Sequence, residues 1–158
     1  MARHPEDSIY RISSEYQNRM KFIIAESEMK KADFAKAAGV GLVVISRATV
    51  YGILPSTRSL VKMADYLGVP MEYLLGESDE KDFYPTEKFE TFQDRLNLLM
   101  NERKLKISEI SHFMSFPRNS IHEWMRRNNL PALDYLKELA EFFNVSIDFL
   151  LGRTDFRD

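Results

Sequence analysis

A chain of 158 residues, 44% of them hydrophobic, is a core-forming globular protein with room for one medium domain or two small ones. It has no cysteine, which excludes disulfides and thiolate metal sites, and no apolar run approaches the roughly 20 residues that cross a bilayer. A formal charge of -2 supplies no general attraction to nucleic acid, so any such role must rest on local charge. The opening Met1–Asp7 is polar and leads into no apolar signal core, and a soluble cytoplasmic protein is expected.

In chain order, the first predicted helix opens at Ser14, three residues before Gln17, and turns Met20, Ile23 and Ile24 inward. A short helix over Ala32–Ala38 follows, closed by Gly39, and a third covers Leu42–Val50. Leu60, Met63, Ala64 and Leu67 form the i, i+3, i+4, i+7 stripe of a fourth, and Pro70–Leu75 is a fifth of one or two turns. Residues 77–91 hold two basic against six acidic residues and read as a solvated linker, with Phe83 and Tyr84 docked on a neighbouring surface. A second set follows: a helix beginning after Pro85-Thr86 and ending near Arg103, then Ser108–Met114, Arg118–Arg127, a stripe of Leu136, Leu139, Ala140 and Phe143, and Ser146–Leu151.

The second set is the first displaced by 76 positions, without a gap. Gln17, Arg19, Glu26 and Lys30 fall on Gln93, Arg95, Glu102 and Lys106; Ile45, Leu54, Pro55, Leu60 and Ala64 fall on Ile121, Leu130, Pro131, Leu136 and Ala140. Val69, Leu74, Leu75 and Gly76 fall on Val145, Leu150, Leu151 and Gly152. Preserved length through every loop is stronger support for duplication than the modest identity. No alternating run is long enough for a sheet, so the chain is expected to be all-α.

Within the second copy, Leu105–Ser111 followed by Pro117–Trp124, then Leu130-Pro131 and Val145–Gly152, resembles the helix-turn-helix domain of phage-repressor and Cro-like regulators. The first copy resembles it through Phe34-Ala35, Gly39-Val40, Ile45, Pro55 and Val69–Gly76. The resemblance implies two tandem five-helix domains of the lambda-repressor-like type: residues 1–76 (core 14–76) and 92–158 (core 92–152, its first helix starting near 87). It also implies a regulator that binds double-stranded DNA, with a recognition helix in the major groove.

Carried over residue by residue, the resemblance puts Arg118, Asn119 and Glu123, with Ser120 nearby, at base edges. Arg and Asn can make paired hydrogen bonds to guanine and adenine respectively. Arg126 and Arg127 become phosphate contacts, as do Lys106 and, in the first copy, Lys31, Lys36 and Arg47. The first copy departs from the pattern, presenting Leu42 and Val43, with Val44 beside them, and then Tyr51 and Ile53 in an uncharged loop. Leu and Val cannot hydrogen-bond to a base, so this face is expected to meet protein, a second copy or another partner. Association without DNA binding is the alternative function. In the second copy Ile107 stands where the family often has a phosphate-binding Gln. Ser115 replaces the turn glycine, which in a left-handed conformation would cost roughly 1 kcal/mol.

Other chemistry finds little footing. His4, His112 and His122 are scattered, with no Cys or acidic pair at ligand spacing, so no metal is expected. Gly39-Val40-Gly41 lacks the preceding strand and third glycine of a phosphate-binding loop. No Ser or Thr has a paired His and acid in a motif context, so neither an enzyme nor a cofactor is expected. Trp124, Tyr66, Tyr73, Phe142, Phe143 and Phe149 are expected in the core.

Overall fold

The computed structural model describes residues 11–158; the polar opening Met1–Asp7 lies outside them. The described residues are all-helical apart from two isolated backbone bridges, Ile12–Ile53 and Pro85–Thr154. None of their helices is long and apolar enough to cross a membrane. The chain divides into two compact units between Lys81 and Asp82.

The first unit contains α1 (Ser14–Ser27), α2 (Lys31–Ala38), α3 (Leu42–Tyr51), α4 (Thr57–Leu67) and α5 (Met71–Leu74). Ser13, rather than Ser14, caps α1, its hydroxyl accepting the Tyr16 N–H at 3.1 Å. Met20, Phe34, Ile45, Leu60, Met63 and Leu74 are fully buried, one or more from each helix, so a single core holds all five. Ile24 is only half-buried, and Tyr66 is 44% exposed, its ring edge-on to Phe34, so neither belongs to that core as expected.

The second unit contains α6 (Phe92–Arg103), α7 (Ile107–His112), α8 (Ser120–Arg127), α9 (Leu133–Phe143) and α10 (Ile147–Leu150). α6 begins later than the sequence suggests. The Thr91 hydroxyl accepts the Asp94 N–H at 3.1 Å while the Asp94 carboxylate accepts the Thr91 N–H at 2.9 Å, a reciprocal cap that fixes Phe92 as the first helical residue. Pro85-Thr86 is extended instead, and the Thr86 N–H donates to the Arg153 carbonyl at 2.9 Å. Leu96, Ile110, Ile121, Leu136, Leu139 and Leu150 form this unit's buried core.

Residues 76 positions apart play matching parts in the two units, the glutamines through acceptors that are not themselves 76 apart. The Gln17 amide donates to the carbonyls of Thr49 (3.2 Å) and Val50 (2.9 Å), at the end of α3. The Gln93 amide donates to those of Trp124 (3.2 Å) and Asn129 (2.8 Å), at the end of α8. One glutamine on the first helix thus ties down the C-terminal end of the third helix, where the last carbonyls have few partners within the helix; the Trp124 carbonyl also accepts the Asn129 N–H at 3.2 Å.

The arginines repeat more closely, partner for partner. Arg19 lies over the Tyr73 ring (4.0 Å) and pairs with Asp79 (2.6 Å); Arg95 lies over the Phe149 ring (4.3 Å) and pairs with Asp155 (3.2 Å). Glu26 pairs with Lys81 (3.3 Å), and Glu102 with Arg157 (2.7 Å). The duplication therefore extends past Gly76 into a C-terminal tail on each unit. Residues 77–91 are mostly exposed and are fastened at both ends. Asp79 and Lys81 are tied to the first unit, whereas Phe83 lies under the Arg153 guanidinium (4.3 Å) and the Tyr84 carbonyl accepts from the Thr154 hydroxyl (2.7 Å).

The two arginine clamps differ in depth. Arg95 is 1% exposed, also bonds Glu90, and donates to the carbonyls of Phe149 (2.9 Å) and Thr154 (2.8 Å). Arg19 pairs with an Asp79 that is almost entirely in water. Arg95→Ala should therefore cost about 3–5 kcal/mol in urea unfolding, since it strands buried acceptors. Arg19→Ala should cost about 1–2 kcal/mol.

Candidate nucleic-acid interface

The expected recognition segment is built from α7, the turn 113–119 and α8. α8 is anchored by Ile121, fully buried, and by the Gln93 bonds at its far end. Beneath it, Trp124 packs edge-on to Phe116 (4.9 Å) and Phe92 (6.3 Å), with Tyr135 alongside (6.4 Å). Trp124 is half-buried, and its indole touches each of the other three rings.

α8 begins at Ser120, two residues later than expected, so Arg118 and Asn119 lie in the turn before it. Pro117 opens a separate turn there, its carbonyl accepting the Ser120 N–H at 3.0 Å. Asn119 is the N-cap residue with φ −89° and ψ 0°, and its side chain makes no capping bond. The Arg118 backbone is held instead: its carbonyl accepts from the buried Ser111 hydroxyl of α7 at 3.4 Å. Arg118 and Asn119 are both exposed, and Ser120 is half-buried.

The turn also differs from expectation at Ser115. α7 stops at His112, with Phe113 right-handed at its C-cap (φ −96°), and Ser115 is not among the residues with positive φ. The Ser115 N–H donates to the Glu138 carboxylate at 2.9 Å, and its hydroxyl bonds the same group. In the first unit Gly39 takes φ +78° to close α2. Without that glycine the second unit shortens the helix, tying the turn to α9, and avoids the left-handed strain.

Glu123 is already engaged. Its carboxylate accepts from Arg126 (2.8 Å) and Arg127 (3.1 Å), making a three-residue surface cluster in which all three are solvent-accessible. Lys106, also exposed, is the N-cap of α7, and its N–H donates to the Glu109 carboxylate at 3.1 Å. Pairing with Arg126, then the charge of Arg127, holds the Glu123 carboxyl below the usual carboxylate range.

In the first unit, Leu42 (48%), Val43 (54%), Val50 (52%) and Tyr51 (64%) are exposed. Val43 and Val50 are seven residues apart on α3 and share its outward stripe with half-buried Ser46 and exposed Arg47. Val44 and Ile53 are half-buried, and the Ile53 backbone bridges to Ile12, so these two contribute less surface than expected. Lys31 and Lys36 on α2 are exposed.

The fold also collects residues that looked unrelated in sequence. Ser108, Ser111 and His112 of α7, Arg118 and Asn119 of the turn, and His122 of α8 line one open pocket of about 420 Å³. No group of three or more His, Cys, Asp or Glu able to hold a metal occurs among the described residues. The ten-residue gap between the two histidines hid their proximity; only folding the turn back on α7 brings them together. Comparisons with family models, with curated proteins and with solved structures find no match for this chain.

The state of the Glu123 cluster is measurable. A carboxyl carbon titration by NMR should find Glu123 ionising below the ordinary glutamate range, and Arg126→Ala should return it toward that range. Because the folded value is depressed, the ion pairing is fully present above the unfolded value and is lost as pH falls through the folded one.

Proposed function

We propose that the chain is a soluble, cytoplasmic DNA-binding transcriptional regulator, built of two tandem helix-turn-helix domains of the repressor/Cro-like type. In this reading the second domain is the main base reader, and the first assists it or mediates association. The observation that carries it is the contrast between two equivalent helices on similar scaffolds. The α7–α8 segment presents exposed Arg118, Asn119, Arg126 and Arg127, while α3 presents exposed Leu42, Val43, Val50 and Tyr51. An Arg–Asn pair just before an anchored helix matches the way such helices read base edges from their N-terminal part.

The remaining assignments follow from charge. Arg126 and Arg127 sit at the opposite end of α8, where phosphates would replace Glu123 as their partner. Lys106 would add a phosphate contact, and Lys31, Lys36 and Arg47 would supply weaker ones in the first domain. Glu123, as a base contact, would first have to release both arginines. It fits better as a gate on their charge.

In gel-shift titrations, Arg118→Ala should weaken binding to a preferred duplex by about 10-fold or more while changing random-sequence binding less, since a good bidentate base contact is worth roughly 1–3 kcal/mol. Arg126→Ala should lower both affinities alike and flatten the salt slope by about 1. Equal losses for the two variants on both duplexes would contradict the division of roles.

A second reading, a protein-interaction module that has kept this fold without DNA binding, is favoured by the exposed Leu42, Val43, Val50 and Tyr51 alone. It predicts a dimer or partner complex that Val43→Asp breaks, with no salt-sensitive affinity for DNA. Sedimentation showing a monomer at high concentration, unaffected by that substitution, removes it.

A further inference from the structure

We propose that the pocket between α7 and α8 is a binding site for a phosphate oxyanion, with His112 and His122 as its principal ligands. Its lining offers imidazole N–H groups from His112 and His122, the Arg118 guanidinium, the Ser108 hydroxyl and the Asn119 amide. Every one of these side chains can donate a hydrogen bond, and three can carry positive charge. No carboxylate lines it, in a chain with 24 acidic residues.

The carboxylates nearby in sequence are engaged elsewhere. Glu109, three residues before His112, accepts the Lys106 N–H (3.1 Å). Glu123, beside His122, holds Arg126 and Arg127. Glu138 holds the Ser115 N–H (2.9 Å).

The pocket wall is also set before any ligand arrives. The Ser111 hydroxyl pins the Arg118 carbonyl, and Glu138 pins the turn at Ser115, so α7 and the start of α8 keep their spacing. Donors around an acid-free cavity whose backbone wall is fixed suit an oxyanion, which needs several donors and loses affinity to any carboxylate beside it. A volume of about 420 Å³ admits a phosphate with part of its hydration or a phosphodiester with a flanking sugar. Arg118 has five N–H donors and can serve this phosphate and a base at once.

The phosphate could belong to a duplex backbone or to a free phosphate compound. The first source rests on the DNA-binding reading; the pocket itself does not. On the backbone source, the two histidines fix register next to the residues proposed to read bases.

The test uses the full chain with imidazole resonances observed by NMR. Inorganic phosphate should shift His112 and His122 saturably, and His112→Gln/His122→Gln should weaken phosphate binding at least 10-fold with unchanged thermal stability, both residues being exposed. A 20-base-pair duplex added in place of phosphate separates the sources. Shifts of both imidazoles by duplex as well as phosphate assign the site to the DNA backbone. Shifts by phosphate alone retain the oxyanion site and remove the backbone source. Failure of both ligands to move the imidazoles overturns the site. Duplex that binds by fluorescence anisotropy yet leaves both imidazoles unmoved removes the backbone source while leaving DNA binding standing; the site itself then stands or falls on the phosphate titration.

Discussion

One glutamine on the first helix of each unit fixes the arrangement on which the rest depends. Gln17 and Gln93 reach the carbonyls that end α3 and α8, and buried Ile45 and Ile121 hold the middle of the same helices. With one end and one face committed, rotation about the helix axis is fixed, and the outward residues follow from a 100° step per residue. Without that constraint, the exposed chemistry of α3 and α8 would have no defined direction. The Arg95 clamp extends the same logic to the tail, fastening the carbonyls of Phe149 and Thr154 to α6.

Retention of these fixtures in both units, while the outward faces diverge, separates scaffold from surface. A tether that satisfies buried carbonyls is costly to lose, because each stranded acceptor carries a desolvation penalty. An exposed position tolerates Val43 in one unit and Asn119 in the other without affecting the core. The two faces can therefore serve different partners on similar supports. The shift from Gly39 to Ser115 shows how far the scaffold bends: α7 gives up helical residues and recruits Glu138 in place of a left-handed turn.

Much of this was legible in the sequence. The 76-residue offset predicted equivalent helices, and the apolar stripes on α4 and α9 predicted their buried faces, since burial follows helical periodicity. What escaped was what depends on distance rather than spacing. Gln17, Arg19 and Glu26 were visible as repeated residues, yet their partners lie 30 to 60 positions away and cannot be read from local pattern. The Thr91–Asp94 cap is a legible signal that a helix begins at Phe92, whereas Pro85 starts only an extended segment. The pocket shared by His112 and His122 could not have been found, because its walls exist only once a turn has folded.

The central claim is that the second unit directs a sequence-reading surface at duplex DNA. The most direct measurement is selection of the full chain against a random duplex library, followed by affinity for the recovered sequences across a range of salt concentrations. The account predicts a consensus whose binding falls steeply with salt, the dependence expected when several cationic side chains displace counterions from phosphates. Recovery of no consensus, with affinity that is negligible and indifferent to salt, would contradict it.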